Sequence, residues 1–185
     1  MPSQLEIMDP IVTPEEEKRY AELQLMALDA ARAGDTVVLT FMLKAGLPAN
    51  LQDHKGNTLL MLAAYHGNAE AASCLLTHGA DPDRRNLRGQ TPLGGVAFKG
   101  YVEVATVLLN HGADLNADQG AGMTPLMLAS MFGRTEMVQL LRERGANKNA
   151  RNRWGLSAGL LGTVPRIVSK LRRLFQGVPR PVSQS

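Results

Sequence analysis

The sequence predicts an all-α solenoid, a row of helix–turn–helix units of constant length. Three observations predict it. Glycines recur every 33 residues in three separate combs: Gly34, Gly67, Gly100 and Gly133; Gly46, Gly79, Gly112 and Gly145; Gly56, Gly89, Gly122 and Gly155. Threonine recurs two residues after the third comb, at Thr58, Thr91 and Thr124. Paired leucines recur at Leu75–Leu76, Leu108–Leu109 and Leu140–Leu141. A period that never slips marks a repeat array, in which each unit buries its apolar face only by stacking on its neighbours.

Each element follows in chain order. Thr13-Pro14-Glu15-Glu16-Glu17 is a strong helix start. Residues 14–33 then read as one long helix and Thr36–Lys44 as its partner, giving an atypical capping unit over residues 14–51 behind a tail at 1–13. Regular units are expected at 52–84, 85–117 and 118–150. In each, a glycine makes a tight turn and the threonine caps a first helix. Pro92 and Pro125 take the first helical position, where a missing N–H costs nothing. Apolar runs such as Leu60–Ala64 and Leu126–Ser130 follow, closed by Gly67, Gly100 or Gly133, where a left-handed residue is wanted. Glu70, Glu103 and Glu136 open the second helix, favourable to its dipole. Arg151–Ser157 repeats the turn, but Leu156–Val164 is a poor helix with two glycines. Pro165 starts a short helix to about Phe175. Residues 151–176 therefore read as a degenerate cap and 177–185 as a tail.

Composition bounds the rest. Of 185 residues 44% are apolar, which is not a disordered composition, and only 4% are aromatic, so the core must be mostly Leu, Ala, Val and Met. Cys74 is the single cysteine and cannot form an internal disulfide, which fits a reducing compartment. The start, with Pro2, Glu6, Asp9 and Pro10, is no secretory signal, and no run approaches the roughly 20 apolar residues that span a bilayer. The expectation is a soluble, cytoplasmic monomer.

These residues resemble the ankyrin repeat. The matches are TPLG at 91–94, TPLM at 124–127, HGADPD at 78–83, HGADLN at 111–116 and GANKN at 145–149, and the resemblance covers about residues 21–157. It implies stacked helix–turn–helix units with β-hairpin-like loops projecting between them, and a concave face that binds partner proteins. The sequence departs from the family at the histidine of its Thr-Pro-Leu-His tetrapeptide, replaced by Met61, Gly94 and Met127, and Leu59 replaces the proline of the first full unit. Stability below that of a consensus array is expected. Gly94–Gly95 falls inside a helix, at about 1 kcal/mol per glycine against alanine, which predicts a soft unit at 85–117.

The register converts the sequence into a surface map. In the family, contacts lie on the loop tips and the exposed end of the first helix. Those positions here are His54, Lys55, Asn57, Tyr65 and His66; then Leu87, Arg88, Gln90, Phe98 and Lys99; then Ala121, Met123, Met131 and Phe132; then Arg153 and Trp154. Tyr65, Phe98 and Met131 are equivalent and should form a stripe. Aromatics flanked by lysine and arginine are typical of binding hot spots; the alternative is that some fold into the core between units. The expected function is capture of a partner protein.

Candidate chemistry is thin, and neither an enzyme nor a cofactor is expected. Cys74 and His78 are four residues apart on one helix, a possible metal pair, but Cys74 aligns with Val107 and Leu140 as a core position and His78 with His111 as a helix end. His54 and His66 share the expected face without an acidic or cysteine partner. No phosphate loop, metalloprotease or nucleophile-elbow motif is present. Asp81, Asp83, Asp114 and Asp118 fall in loops and fit turn geometry. Asn116 resembles the substrate pattern of the asparaginyl hydroxylase of eukaryotic ankyrin repeats, against the plainer reading of an asparagine that holds its loop.

Net charge of +3 hides a gradient: residues 1–141 carry 10 Lys/Arg and 16 Asp/Glu, residues 142–185 carry 10 Lys/Arg and only Glu143. In Arg166–Phe175, Ile167, Val168, Leu171, Leu174 and Phe175 fall on one helical face, and Arg166, Lys170, Arg172 and Arg173 fill most of the rest. This segment reads as a cap whose basic side could dock on an anionic membrane surface or acidic partner. No nucleic-acid partner is expected, because no recognised module accompanies the charge.

Overall fold

In the computed structural model, residues 13–163 are described. Residues 1–12 of the first tail, the last tail and the basic segment with Arg166, Lys170, Arg172 and Arg173 lie outside them. The described residues hold α1 (Pro14–Ala33), α2 (Thr36–Lys44), α3 (Leu59–Tyr65), α4 (Ala69–Thr77), α5 (Pro92–Lys99), α6 (Val102–Asn110), α7 (Pro125–Met131), α8 (Thr135–Glu143) and α9 (Ala158–Leu161). Helices α1, α3, α5, α7 and α9 pack in one row, each on the next, and α2, α4, α6 and α8 in a second. The two rows meet through pairs joined by short turns, and the fold is the all-α solenoid that the glycine combs predict.

Local chemistry explains the elements. Thr58, Thr91 and Thr124 cap α3, α5 and α7, their hydroxyls accepting from the N–H groups of Met61 at 3.1 Å, Gly94 at 3.4 Å and Met127 at 3.3 Å. Thr13 opens α1 in a capping box: its N–H donates to the Glu16 carboxylate at 2.8 Å and its hydroxyl accepts from the Glu16 N–H at 3.3 Å. The bond from the Thr13 backbone, then that from its hydroxyl, holds the Glu16 carboxyl below the usual range. Every glycine of the three combs has φ between +65° and +96°, so the period is one of backbone geometry.

The core is aliphatic. Leu75, Leu108 and Leu141 stand 33 residues apart on α4, α6 and α8, all fully buried. Ala31, Ala64 and Ala97 repeat on the inner row, also fully buried, and their small side chains let the inner helices approach closely. A different set of side chains ties the loops between units. The Asn50 carbonyl oxygen accepts from the Asp81 N–H at 2.8 Å, and the Asn116 one from the Asn147 N–H at 2.8 Å. Between them in register, both Asp83 carboxylate oxygens accept from the Asp114 N–H at 3.0 and 2.9 Å. Asn116 thus holds its loop to the following one. Asp83 is the acidic member of this set, and burial, with the nearby carboxylates of Asp114 and Asp81 added, pushes its pKa up.

The tips between units are turns. In three of the four, one side chain accepts two backbone N–H bonds: Asp53 from Lys55 and Asn57, Asn86 from Arg88 and Gln90, Asn152 from Trp154 and Leu156, all between 2.8 and 3.0 Å. Burial alone would raise the Asp53 carboxyl; bonds from the Asn57 side chain and backbone and from Lys55 outweigh it and hold the pKa below the usual value. Among the described residues there is one isolated bridge pair, Gln52 with Thr58, and no strand, so the projecting loops are hairpin-like without being a ribbon.

Candidate partner-binding face

The exposed ends of α3, α5 and α7 lie side by side, which sets the register-equivalent Tyr65, Phe98 and Met131 in a row. Tyr65 is 44% exposed and carries the Lys99 ammonium over its ring, 4.3 Å from the centroid. Phe98 meets Phe132 edge to face, ring centroids 4.4 Å apart. The aromatic strip is therefore partly spent on itself: Phe98 is half-buried, and Met131 and Met123 are half-buried against the core. Leu87 and Trp154 stand out at the tips, 81% and 66% exposed, with His54 and Arg153 also exposed there. His66 is exposed, but its Nδ1 lies 2.8 Å from the Leu62 carbonyl, as His78 and His111 meet the carbonyls of Cys74 and Val107. All three close the ends of their helices.

A pocket of about 450 Å³ lies within the strip. It brings together six residues the register map selects: Lys55 and Asn57 from one tip, Arg88 and Gln90 from the next, and Tyr65 and Phe98. Met61, Leu62, Pro92 and Leu128 supply apolar walls, and Gly94 and Gly95 reach its surface from α5. His54, His66, Leu87, Lys99, Met123, Met131, Phe132, Arg153 and Trp154 do not line it.

The residue that sequence reading missed is Gln119. It stands in register with Asp53, Asn86 and Asn152, yet closes no turn. Asp118 accepts from the Gly120 N–H at 2.9 Å instead, and Gln119 turns inward and is buried. Its carbonyl oxygen accepts from the Thr91 N–H at 2.8 Å, and its amide donates to the Thr91 hydroxyl at 2.9 Å and the Ala117 carbonyl at 3.0 Å. Gly94 makes this possible, since a Cβ there would sit 1.9 Å from the Gln119 oxygen. The Gly94 position is thus filled by a side chain from the following unit. A signal existed, because Gln119 alone in its register lacks the short Asp/Asn side chain that closes the turn.

The same junction lacks the tip-to-tip bond of its neighbours. Leu87 donates its N–H to the Lys55 carbonyl at 3.1 Å and Arg153 to the Ala121 carbonyl at 2.9 Å. Between the second and third tips the Arg85 guanidinium reaches the Asp118 carbonyl instead. Arg134, another residue not foreseen, donates from Nε to the Phe98 carbonyl at 2.9 Å and holds the end of α5.

Among the described residues the Cys74–His78 pair gains no further ligand. Cys74 is half-buried with its sulfur 3.2 Å from the Thr40 hydroxyl, His78 Nδ1 is 3.9 Å from that sulfur, and no group of three metal-ligating residues occurs among the described residues. No helix among the described residues is long and apolar enough to cross a membrane.

Stacked helix pairs in constant register define the molecule as a repeat solenoid. A family model described as ankyrin repeats (3 copies) matches residues 27–119 and 81–152. The chain is 46% identical over 57 residues to an ankyrin repeat protein of Pseudomonas aeruginosa, 31% of this chain and 33% of that relative. The chain belongs to the ankyrin repeat family. Ankyrin repeats are generally protein–protein interaction modules and typically non-enzymatic.

Proposed function

We propose that this chain captures a partner protein through the strip between Lys55 and Phe98 and the adjoining loop tips. One observation carries the reading: six side chains chosen by register, from two consecutive units, surround one pocket of about 450 Å³. Mixed apolar, aromatic and basic lining suits a protein ligand, because rigid aromatics give contact area at little entropic cost and the cations orient the incoming chain.

The test is affinity capture with the intact chain against Tyr65→Ala with Phe98→Ala. Neither side chain is fully buried, so the double variant is expected to keep its helical circular-dichroism signal and a cooperative melt, while captured partner falls at least about tenfold. A folded double variant that holds the same partner as strongly would refute the reading.

A further inference from the structure

Repeat architecture lets each position be compared with its own equivalents, and one position in the pocket departs from them. Leu62, Gly95 and Leu128 are in register on α3, α5 and α7. Both leucines line the pocket, and Gly95 lies between them, half-buried, with no side chain. Its neighbour Gly94 differs, because Gln119 occupies that position. Among the described residues a Cβ built on Gly95 would meet only the Tyr65 ring, at 3.5 Å, an ordinary contact. Neither close packing nor a left-handed backbone requires glycine here, and in mid-helix it costs about 1 kcal/mol against alanine. The array leaves out a leucine where its neighbours on both sides carry one.

Charge gives the second observation. Among the described residues the pocket is lined by Lys55 and Arg88 and by no carboxylate, although residues 1–141 carry more Asp/Glu than Lys/Arg. Lys99 stands beside it on the Tyr65 ring. Among the described residues the ion pairs are those of Arg32 with Asp29 and Asp53, so Lys55, Arg88 and Lys99 have no carboxylate at ion-pair distance there.

We infer that the gap at Gly95 is a socket for a branched aliphatic side chain on an acidic peptide segment. The aliphatic group enters between Leu62 and Leu128, against Tyr65 and Phe98. Carboxylates beside it in the partner's sequence meet Lys55, Arg88 and Lys99. The inference rests on the proposed strip and names the chemistry of its partner.

A displayed library of random peptides, selected on the intact chain, tests this. Selected peptides should join an aliphatic residue to acidic neighbours. They should bind the wild type at least about tenfold tighter than Gly95→Leu, which fills the socket, and tighter than Lys55→Glu with Arg88→Glu. Added salt should weaken them. Gly95→Leu should melt no lower than the wild type, so that lost binding is not lost folding; should it fail to fold, Gly95→Ala, with its ordinary contact to Tyr65, is expected to fold and to bind these peptides more weakly than the wild type.

Equal binding to the filled variants overturns the socket. If those peptides are still lost on Tyr65→Ala with Phe98→Ala, the strip stands without the socket. If they survive that change too, the strip falls as well. Selection of peptides without acidic residues, or no enrichment at all, overturns the partner chemistry. Self-association of the wild type that Gly95→Leu abolishes would make the occupant a second copy and overturn the peptide.

Discussion

Helices α3 and α5 occupy the same place in consecutive units, with the same threonine cap and the same fully buried alanine, at Ala64 and Ala97. Yet α3 carries Met61–Leu62 where α5 carries Gly94–Gly95. The first pair is buried in the ordinary way. The second gives one position to the Gln119 side chain and leaves the other open to the pocket. Two adjacent glycines thus do different things. Gly94 admits an interaction that fastens unit to unit, whereas Gly95 removes one. In a solenoid the regular positions hold the stack, and an irregular position has to be explained by what it touches.

The largest effect expected from breaking this comparison lies in the regular outer row. Leu75→Ala and Leu108→Ala should each cost about 2–5 kcal/mol in urea denaturation, since both side chains are fully buried and leave cavities. If Gln119 makes up for the glycine pair, the two costs agree within about 1 kcal/mol. A much smaller cost at Leu108 would mean that the unit built on α5 is loose, as its glycines alone predict.

A smaller effect isolates Gly94. Gln119→Ala strands the Thr91 N–H and should cost roughly 1–3 kcal/mol. Gly94→Ala should destabilise as well, through its collision with the Gln119 oxygen. Combined, the two should cost clearly less than their sum, because the collision is gone in the double variant. Strict additivity in the thermodynamic cycle would break the assigned pairing.

The smallest effect concerns the loops. Asp83 performs with a carboxylate what Asn50 and Asn116 perform with an amide. Its pKa is raised in the fold, so the folded state holds the Asp83 proton more tightly than the unfolded chain. The associated stability is fully present below the ordinary carboxylate range and is lost as pH rises through the raised pKa. Asp83→Asn keeps an acceptor for the Asp114 N–H without the charge. It should melt slightly higher at neutral pH, and the gap should close as the pH falls into the range where Asp83 protonates. A gap that widens on acidification would contradict the assignment.

Much of the fold was legible because the repeat states each rule several times. Thr13 with Glu16 marks the start of α1, the threonine–proline pairs mark α5 and α7, and two of the three glycine combs mark where helices end. The proposed binding strip was legible only as a set of positions. Register selects Lys55, Tyr65, Arg88 and Phe98 together, but does not tell that Phe98 pairs with Phe132 or that Lys99 lies on Tyr65. Those contacts depend on side-chain rotamers across units. Gln119 escaped because its role depends on Thr91 and Gly94, more than twenty residues away, and no local pattern couples them.

The sequence by itself determined the architecture: a period of 33 residues, its caps and its left-handed glycines are local conditions that the chain satisfies within a few residues. Tertiary structure alone decided what the glycine pair means. Both glycines read the same in the chain, as breaks in a helix. Only stacking the neighbouring units beside them puts the Gln119 side chain against one and leaves the other facing the pocket.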